Sequence, residues 1–228
     1  MKTIGLIGGM SWESSAHYYA VLNRETARRL GGLHSAPLIL HSVDFAPIEH
    51  LQRRGDWDEA GRQLGAIAAG LEARGAGIIG LATNTMHIVA DAITARLSVP
   101  FIHIADPTAA ALAADGYSTV GLLGTRFTME MPFYRERLER AGFTTLVPEV
   151  GRTNLNGIIY EELVKGIVRE ESRRIYVDAI AALAARGAEA VILGCTEISM
   201  LIDDSTSPLP TYDTTDLHAK ALVTAALE

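Results

Sequence analysis

Residues 73–85, ARGAGIIGLATNT, and residues 185–197, ARGAEAVILGCTE, decide the fold of this chain. Arg74, Gly75 and Ala76 fall on Arg186, Gly187 and Ala188. The same gap-free offset sets Thr83 on Cys195, Asn84 on Thr196 and Thr85 on Glu197. A second pair, IGLIGGMSWESSAHYY from Ile4 and VGLLGTRFTMEMPFYR from Val120, matches at a slightly larger offset. A third and weaker pair sets VPFIHIADPTAAAL, from Val99, beside LPTYDTTDLHAKAL, from Leu209. One match between two strand–helix units arises easily by chance; three in the same order point to a duplicated unit.

The surrounding pattern agrees. Apolar runs at Thr3–Ile7, Leu38–Ser42, Gly77–Leu81, Phe101–Ile104, Thr119–Leu123, Ala190–Leu193 and Thr211–Tyr212 read as buried strands of parallel type. Helical periodicity fills intervals such as Trp57–Arg74, Glu130–Arg140 and Glu170–Arg186. This alternation predicts right-handed βαβ units, and with the duplication an α/β fold of two pseudo-symmetric, Rossmann-like parallel-sheet domains. Ligands of such sheets bind beyond the carboxyl ends of the strands. Gly8–Ser11, Thr83–Thr85, Gly124–Arg126 and Cys195–Glu197 therefore form the expected functional rim, with the cleft between the halves as the expected site.

Composition narrows the function. At 228 residues and 48% hydrophobic content, the chain has material for a large core. A net charge of −7 argues against nucleic acid, which needs a basic face. No run approaches the ~18 apolar residues of a membrane span, and the start MKTIGLIGG reads as a first strand rather than a signal peptide. The one cysteine, Cys195, has no intramolecular partner, which suits a reducing cytoplasm. Seven histidines show no zinc spacing, so no metal is expected. The early glycines lack GxGxxG order and no GxxxxGK[ST] occurs, so neither a nicotinamide nor a P-loop site is expected.

Thr83 and Cys195, on facing halves, would flank one ligand from opposite sides. A reaction that takes a proton from one face of a carbon and returns one to the other needs that arrangement. In GCTEIS, Cys195 precedes the N–H groups of an expected helix, where a thiolate would be stabilised. Those N–H groups, with the ones near Asn84 and Thr85, would suit a carboxylate. The alternatives are a buried, inert Cys195 and plain helix capping by Thr83, Asn84 and Thr85.

ATNTMH and GCTE, with LIGGMSWESS near the start, resemble the aspartate/glutamate racemase family. LHSVDFAPIE, RRGDW and LLGTRFTME resemble most closely its broad-specificity amino-acid racemase branch. The resemblance spans essentially the whole chain. It implies cofactor-independent, two-base racemisation at Cα of a free amino acid, in a homodimer of two-domain chains whose final helix returns to the first domain. On that basis residues 1–98 with 208–228 form the first domain and 99–207 the second. Most members carry cysteine at both base positions, whereas this chain has Thr83 at the first; a Thr/Cys pair does occur in this branch. A thiol titrates near 8.5, and an alkyl hydroxyl is far less acidic. The pair therefore implies asymmetry: Cys195 works well on one enantiomer, and the opposite direction is slow.

The rest of the site follows from repeat, strand ends and resemblance together. Thr196 and Thr125 are candidate carboxylate ligands, Glu197 is a candidate partner of the thiol or the substrate ammonium, and Met10 lines the cleft. Ser11 reads as an N-cap. An acidic substrate side chain needs a cation: LQRRGDWD supplies Gln52 and Arg53 in an expected loop, with Arg54 read as a solvated charge. Lys165 matches a lysine of aspartate-directed members. His87, four residues after Thr83, reads either as an orienting group or as a satisfied interior histidine. Aspartate, glutamate or a broader set of amino acids are the expected substrates. Two other functions compete: a one-cysteine decarboxylase or isomerase of the wider superfamily, and an amino-acid-binding protein that has lost its first base.

Overall fold

In the computed structural model, which describes residues 1–228, the glycine-ended run Thr3–Gly8 is the central strand β1 of a parallel sheet. Leu38–Ser42 (β2) and Ala76–Leu81 (β3) pair with it on either side, in the order β2-β1-β3. Side chains alternate across a strand, and here both faces are covered. Ile4, Leu6 and Ile78 pack with Tyr18 and Leu22 of the helix Trp12–Leu30 and with Leu222 and Val223 of the helix Thr214–Leu227. Ile7, Ile79 and Leu81 pack on the opposite face with Leu64 and Leu71 of the helix Trp57–Ala73. Each such buried side chain stabilises by about 1.5–3 kcal/mol. Exposed ion pairs contribute about 0–1 kcal/mol, so the two apolar layers hold this sheet.

The second sheet comprises Thr119–Gly124 (β4), Thr144–Leu146 (β5), Ala190–Gly194 (β6) and Thr211–Asp213 (β7), all parallel, in the order β5-β4-β6-β7. Its core joins Leu123, Val191 and Leu193 to Tyr176, Ile180 and Leu183 of the helix Glu170–Ala185, and to Leu155, Ile158 and Ile159 of the helix Arg152–Glu161.

The duplication is visible bond by bond. Gly75 and Gly187 end equivalent turns at φ +94° and +96°, a region that favours glycine. Their N–H groups donate to Glu72 O (2.8 Å) and Ala184 O (2.9 Å). Ile79 N–H donates to Pro100 O, and its counterpart Val191 N–H donates to Pro210 O, both at 2.9 Å.

Three elements differ from the sequence expectation. β2 is an edge rather than a buried strand, with Leu40, His41 and Ser42 exposed. Phe101–Ile104 makes only a single bridge, Ile79 with Phe101; Pro100 has no N–H for a longer ladder, and the chain enters the helix Ala105–Ala114 directly. The helix expected over Glu130–Arg140 is two, Arg126–Glu130 and Pro132–Arg140, because Pro132 starts a new one.

By Cα packing the chain forms two compact units, residues 1–104 with 218–228 and residues 105–217. The boundaries differ from the expected ones at both crossings. Residues 99–104 stay with the first unit through the Phe101 bridge, and 208–217 stay with the second because β7 pairs with β6, Ile192 against Tyr212. The final helix begins in the second unit and belongs to the first from His218 onward. No helix is long and apolar enough to cross a membrane.

Candidate active site

Cys195 immediately follows β6. Gly194 brings that strand end close to β4: a Cβ there would lie 2.6 Å from Leu123 O. Cys195, Thr196 and Glu197 are all buried. The Cys195 thiol donates to Glu197 Oε2 at 2.9 Å, and Thr196 Oγ1 donates to the same oxygen at 2.7 Å. Burial, and then the Glu197 carboxylate, push the Cys195 thiol well above its ordinary value; the N–H groups of Glu197 and Thr196 act the other way but are outweighed. The helix expected after Cys195 is only a short 3-10 helix, Ile198–Met200, and the N–H groups there do not offset the burial and the carboxylate. The arrangement holds a thiol in a hydrogen bond to a carboxyl group.

Thr83 follows β3 in the equivalent place. Its N–H donates to Leu81 O at 2.9 Å, and its carbonyl lies 2.7 Å from His87 Nδ1. Thr83, Asn84 and Thr85 are buried. The helix expected there is a 3-10 turn, Thr85–Val89, and Asn84 adopts helical dihedrals without making a capping bond, so its expected capping role is not seen.

Other expected site residues divide into two groups. In the first unit, Met10 is buried in the same apolar cluster as Met86, and the buried Gln52 donates from Nε2 to Met86 Sδ at 3.0 Å. These residues therefore gather near the Thr83 turn. Gln52 and Arg53 lie in the last turn of the helix Phe45–Arg54, not in a loop; Gly55 ends that helix in the left-handed conformation. Arg53 is exposed and pairs with Glu49 at 2.8 Å. Lys165 is exposed and pairs with Glu161 at 3.0 Å. Thr125 caps the helix Arg126–Glu130, accepting from Thr128 N–H at 3.3 Å, and Ser11 caps Trp12–Leu30 as expected. Sequence reasoning missed Tyr18 and His218, whose buried hydrogen bond of 2.8 Å joins residues 200 apart in the chain. Only the i, i+4 spacing of His87 from Thr83 hinted at such a layer.

Residues 7–222 match the model of the Asp/Glu/Hydantoin racemase family. The chain belongs to that family. It is an isomerase of the racemase type. Among relatives of this family, the chain is 25% identical over 172 residues to the broad specificity amino-acid racemase RacX of Bacillus subtilis (strain 168), covering 75% of this chain and 74% of that protein. It spans about half the length of glutamate racemases that it matches, 49% for that of Actinobacillus pleuropneumoniae serotype 3. Among solved structures, a candidate Asp/Glu racemase from Yersinia pestis superposes with a TM-score of 0.93 at 48% identity, both chains covered in full. An aspartate racemase homologue from Pyrococcus horikoshii OT3 gives a TM-score of 0.85 at 33% identity, again over the full length of both. Thr83 and Cys195 both fall within the family match.

Proposed function

We propose that this racemase inverts Cα of a free amino acid, aspartate, glutamate or a broader set, without pyridoxal phosphate, with Cys195 and Thr83 each serving one face. The observation that carries the reading is the hydrogen-bonded Cys195–Glu197 pair at a strand end of a racemase-family chain. In one direction Glu197 takes the thiol proton across their hydrogen bond, and the thiolate removes the Cα proton as the Cα–H electron pair becomes a carbanion. Thr83 then donates or relays a proton to the opposite face. In the other direction these steps reverse: the Thr83 oxygen left deprotonated by that donation abstracts the Cα proton, the Cys195 thiol quenches the carbanion, and Glu197 returns its proton to the thiolate. A hydroxyl is the weaker acid and supplies an anion far less readily than a thiol, so the two enantiomers exchange their Cα protons at unequal rates.

Asn84, Thr85, Thr125 and Thr196 are proposed to hold the substrate α-carboxylate, Met10 and Gln52 to bound its side chain, and Arg53 or Lys165 to meet a distal carboxylate once released from Glu49 or Glu161. Such exposed pairs are worth little, so exchanging one for a substrate carboxylate costs little. The enzyme is further proposed to act in the cytoplasm as a homodimer; the single thiol suits a reducing compartment. Loss of Cα proton signals from both enantiomers in heavy water, with decay of optical rotation, is the expected result; no exchange with any amino acid overturns the reading.

Because Cys195 is the sole thiol, a one-cysteine reaction remains a second reading: protonation by Cys195 of the carbanion left when a substituted malonate loses carbon dioxide. Carbon dioxide release with no amino-acid exchange would select it.

A further inference from the structure

The Thr83 turn is closed by a buried histidine. His87 is 2% exposed, and its two ring nitrogens face backbone groups. Nδ1 lies 2.7 Å from Thr83 O, and Nε2 lies 3.1 Å from Ile104 N. A carbonyl only accepts and an amide N–H only donates, so Nδ1 carries the proton, Nε2 carries none, and the ring is neutral. The ring also packs edge-on against His103, with centroids 4.5 Å apart, and lies tilted against Phe101 at 5.6 Å. His218 holds the same stretch: its Nε2–H donates to Ile102 O at 2.8 Å, and its Nδ1 shares a hydrogen bond of 2.8 Å with the Tyr18 hydroxyl. The segment 102–104 is thus gripped by two imidazoles, and His87 ties it to the carbonyl of Thr83.

We infer that His87 is a positioning residue for proton transfer at Thr83, fixing the Thr83 peptide through its Nδ1–H bond and resting in turn on Ile104 N–H. Thr83 lies between a strand and a 3-10 turn, outside either regular ladder. Its hydroxyl is therefore only as well aimed as that peptide plane. Misplacement of a reacting group by about 1 Å can cost about 10²-fold in rate. The inference rests on the racemase reading of Thr83.

The test compares wild type with His87→Asn and His87→Gln. Asparagine keeps an N–H donor near the Nδ1 position, facing Thr83 O; glutamine reaches the Nε2 position and keeps an acceptor for Ile104 N–H. Inversion and single-enantiomer Cα exchange are followed by proton NMR in heavy water, with thermal melting as a folding control. Cys195→Ser identifies the enantiomer that Cys195 serves. We expect H87Q to invert about tenfold or more slowly, and H87N to stay within about threefold of wild type, while both keep the Cys195-side exchange. Nitrogen-15 NMR of the wild type is expected to show His87 as the neutral Nδ1–H tautomer. Unchanged inversion in H87Q, a parallel fall of exchange on both faces in both variants, or an imidazolium or Nε2–H ring would overturn the inference. A wild type that inverts no amino acid overturns instead the racemase reading on which it rests.

Discussion

Cys195 Sγ and Glu197 Oε2 lie 2.9 Å apart, with the thiol as donor. The carboxylate therefore stabilises the protonated thiol rather than the thiolate, adding to what burial already does. A nucleophilic cysteine needs its charge at rest, whereas the proposed racemisation asks proton transfer of Cys195. A proton-transfer cysteine needs a proton to give and somewhere to send it.

Glu197→Gln removes the charge and leaves the burial. The thiol's titration should move down while staying above the ordinary value of about 8.5. Alkylation by iodoacetamide, followed against pH, should reach half its plateau at lower pH in the variant. Turnover at neutral pH should fall by about 10²-fold or more, because the proton acceptor is gone. An unshifted alkylation profile would uncouple the two residues.

The same shift has a stability signature. The folded thiol keeps its proton where the unfolded thiol loses it, so its contribution is whole below about pH 8.5 and declines as pH rises above that. Melting temperatures should therefore fall with pH in the alkaline range, and less steeply in Glu197→Gln than in wild type.

Thr83→Val keeps the shape and removes the hydroxyl. Inversion should drop by about 10²-fold or more while the enantiomer served by Cys195 still exchanges its Cα proton. Thr83→Cys should do the reverse and speed the slower direction, since a thiol is the better acid. Equal inversion rates in wild type and Thr83→Val, measured by polarimetry, would remove Thr83 from the chemistry.

Gly194→Ala places a Cβ 2.6 Å from Leu123 O, too close for an unshifted backbone. Backbone gives way less readily than a flexible side chain, so the end of β6 must shift and carry Cys195 with it. A stability loss of about 1–3 kcal/mol in urea unfolding is expected, together with reduced exchange.

Tyr18→Phe removes the hydroxyl hydrogen-bonded to His218 Nδ1, in a side chain with no solvent exposure. Loss of that buried hydrogen bond should cost about 1 kcal/mol. Urea unfolding should show the loss, with Cys195-side exchange retained.

The parallel α/β layout was legible in the sequence because buried strands read as apolar runs, and the duplication was legible because Arg74-Gly75-Ala76 and Arg186-Gly187-Ala188 make the same turn. The placement of Cys195 and Thr83 followed from those turns. Less legible was whatever depends on partners far along the chain. The thiol's resting proton depends on how deeply Cys195 is buried. The seat of Gln52 against Met86 joins a helix to a distant turn. Arg53 and Lys165 had residue type to recommend them, yet each has a glutamate one helical turn away, and spacing alone could have anticipated those pairs. His87 had the spacing, but its second partner, Ile104, only the fold supplies.

The most direct test of the account is proton NMR of single enantiomers of aspartate, glutamate and a panel of neutral amino acids in heavy water. The account predicts Cα exchange of both enantiomers of at least one amino acid, faster for one than for the other, with full inversion and loss of both exchanges' inversion product in Cys195→Ser. Absence of exchange for every amino acid tested, or undiminished inversion in Cys195→Ser, would contradict it.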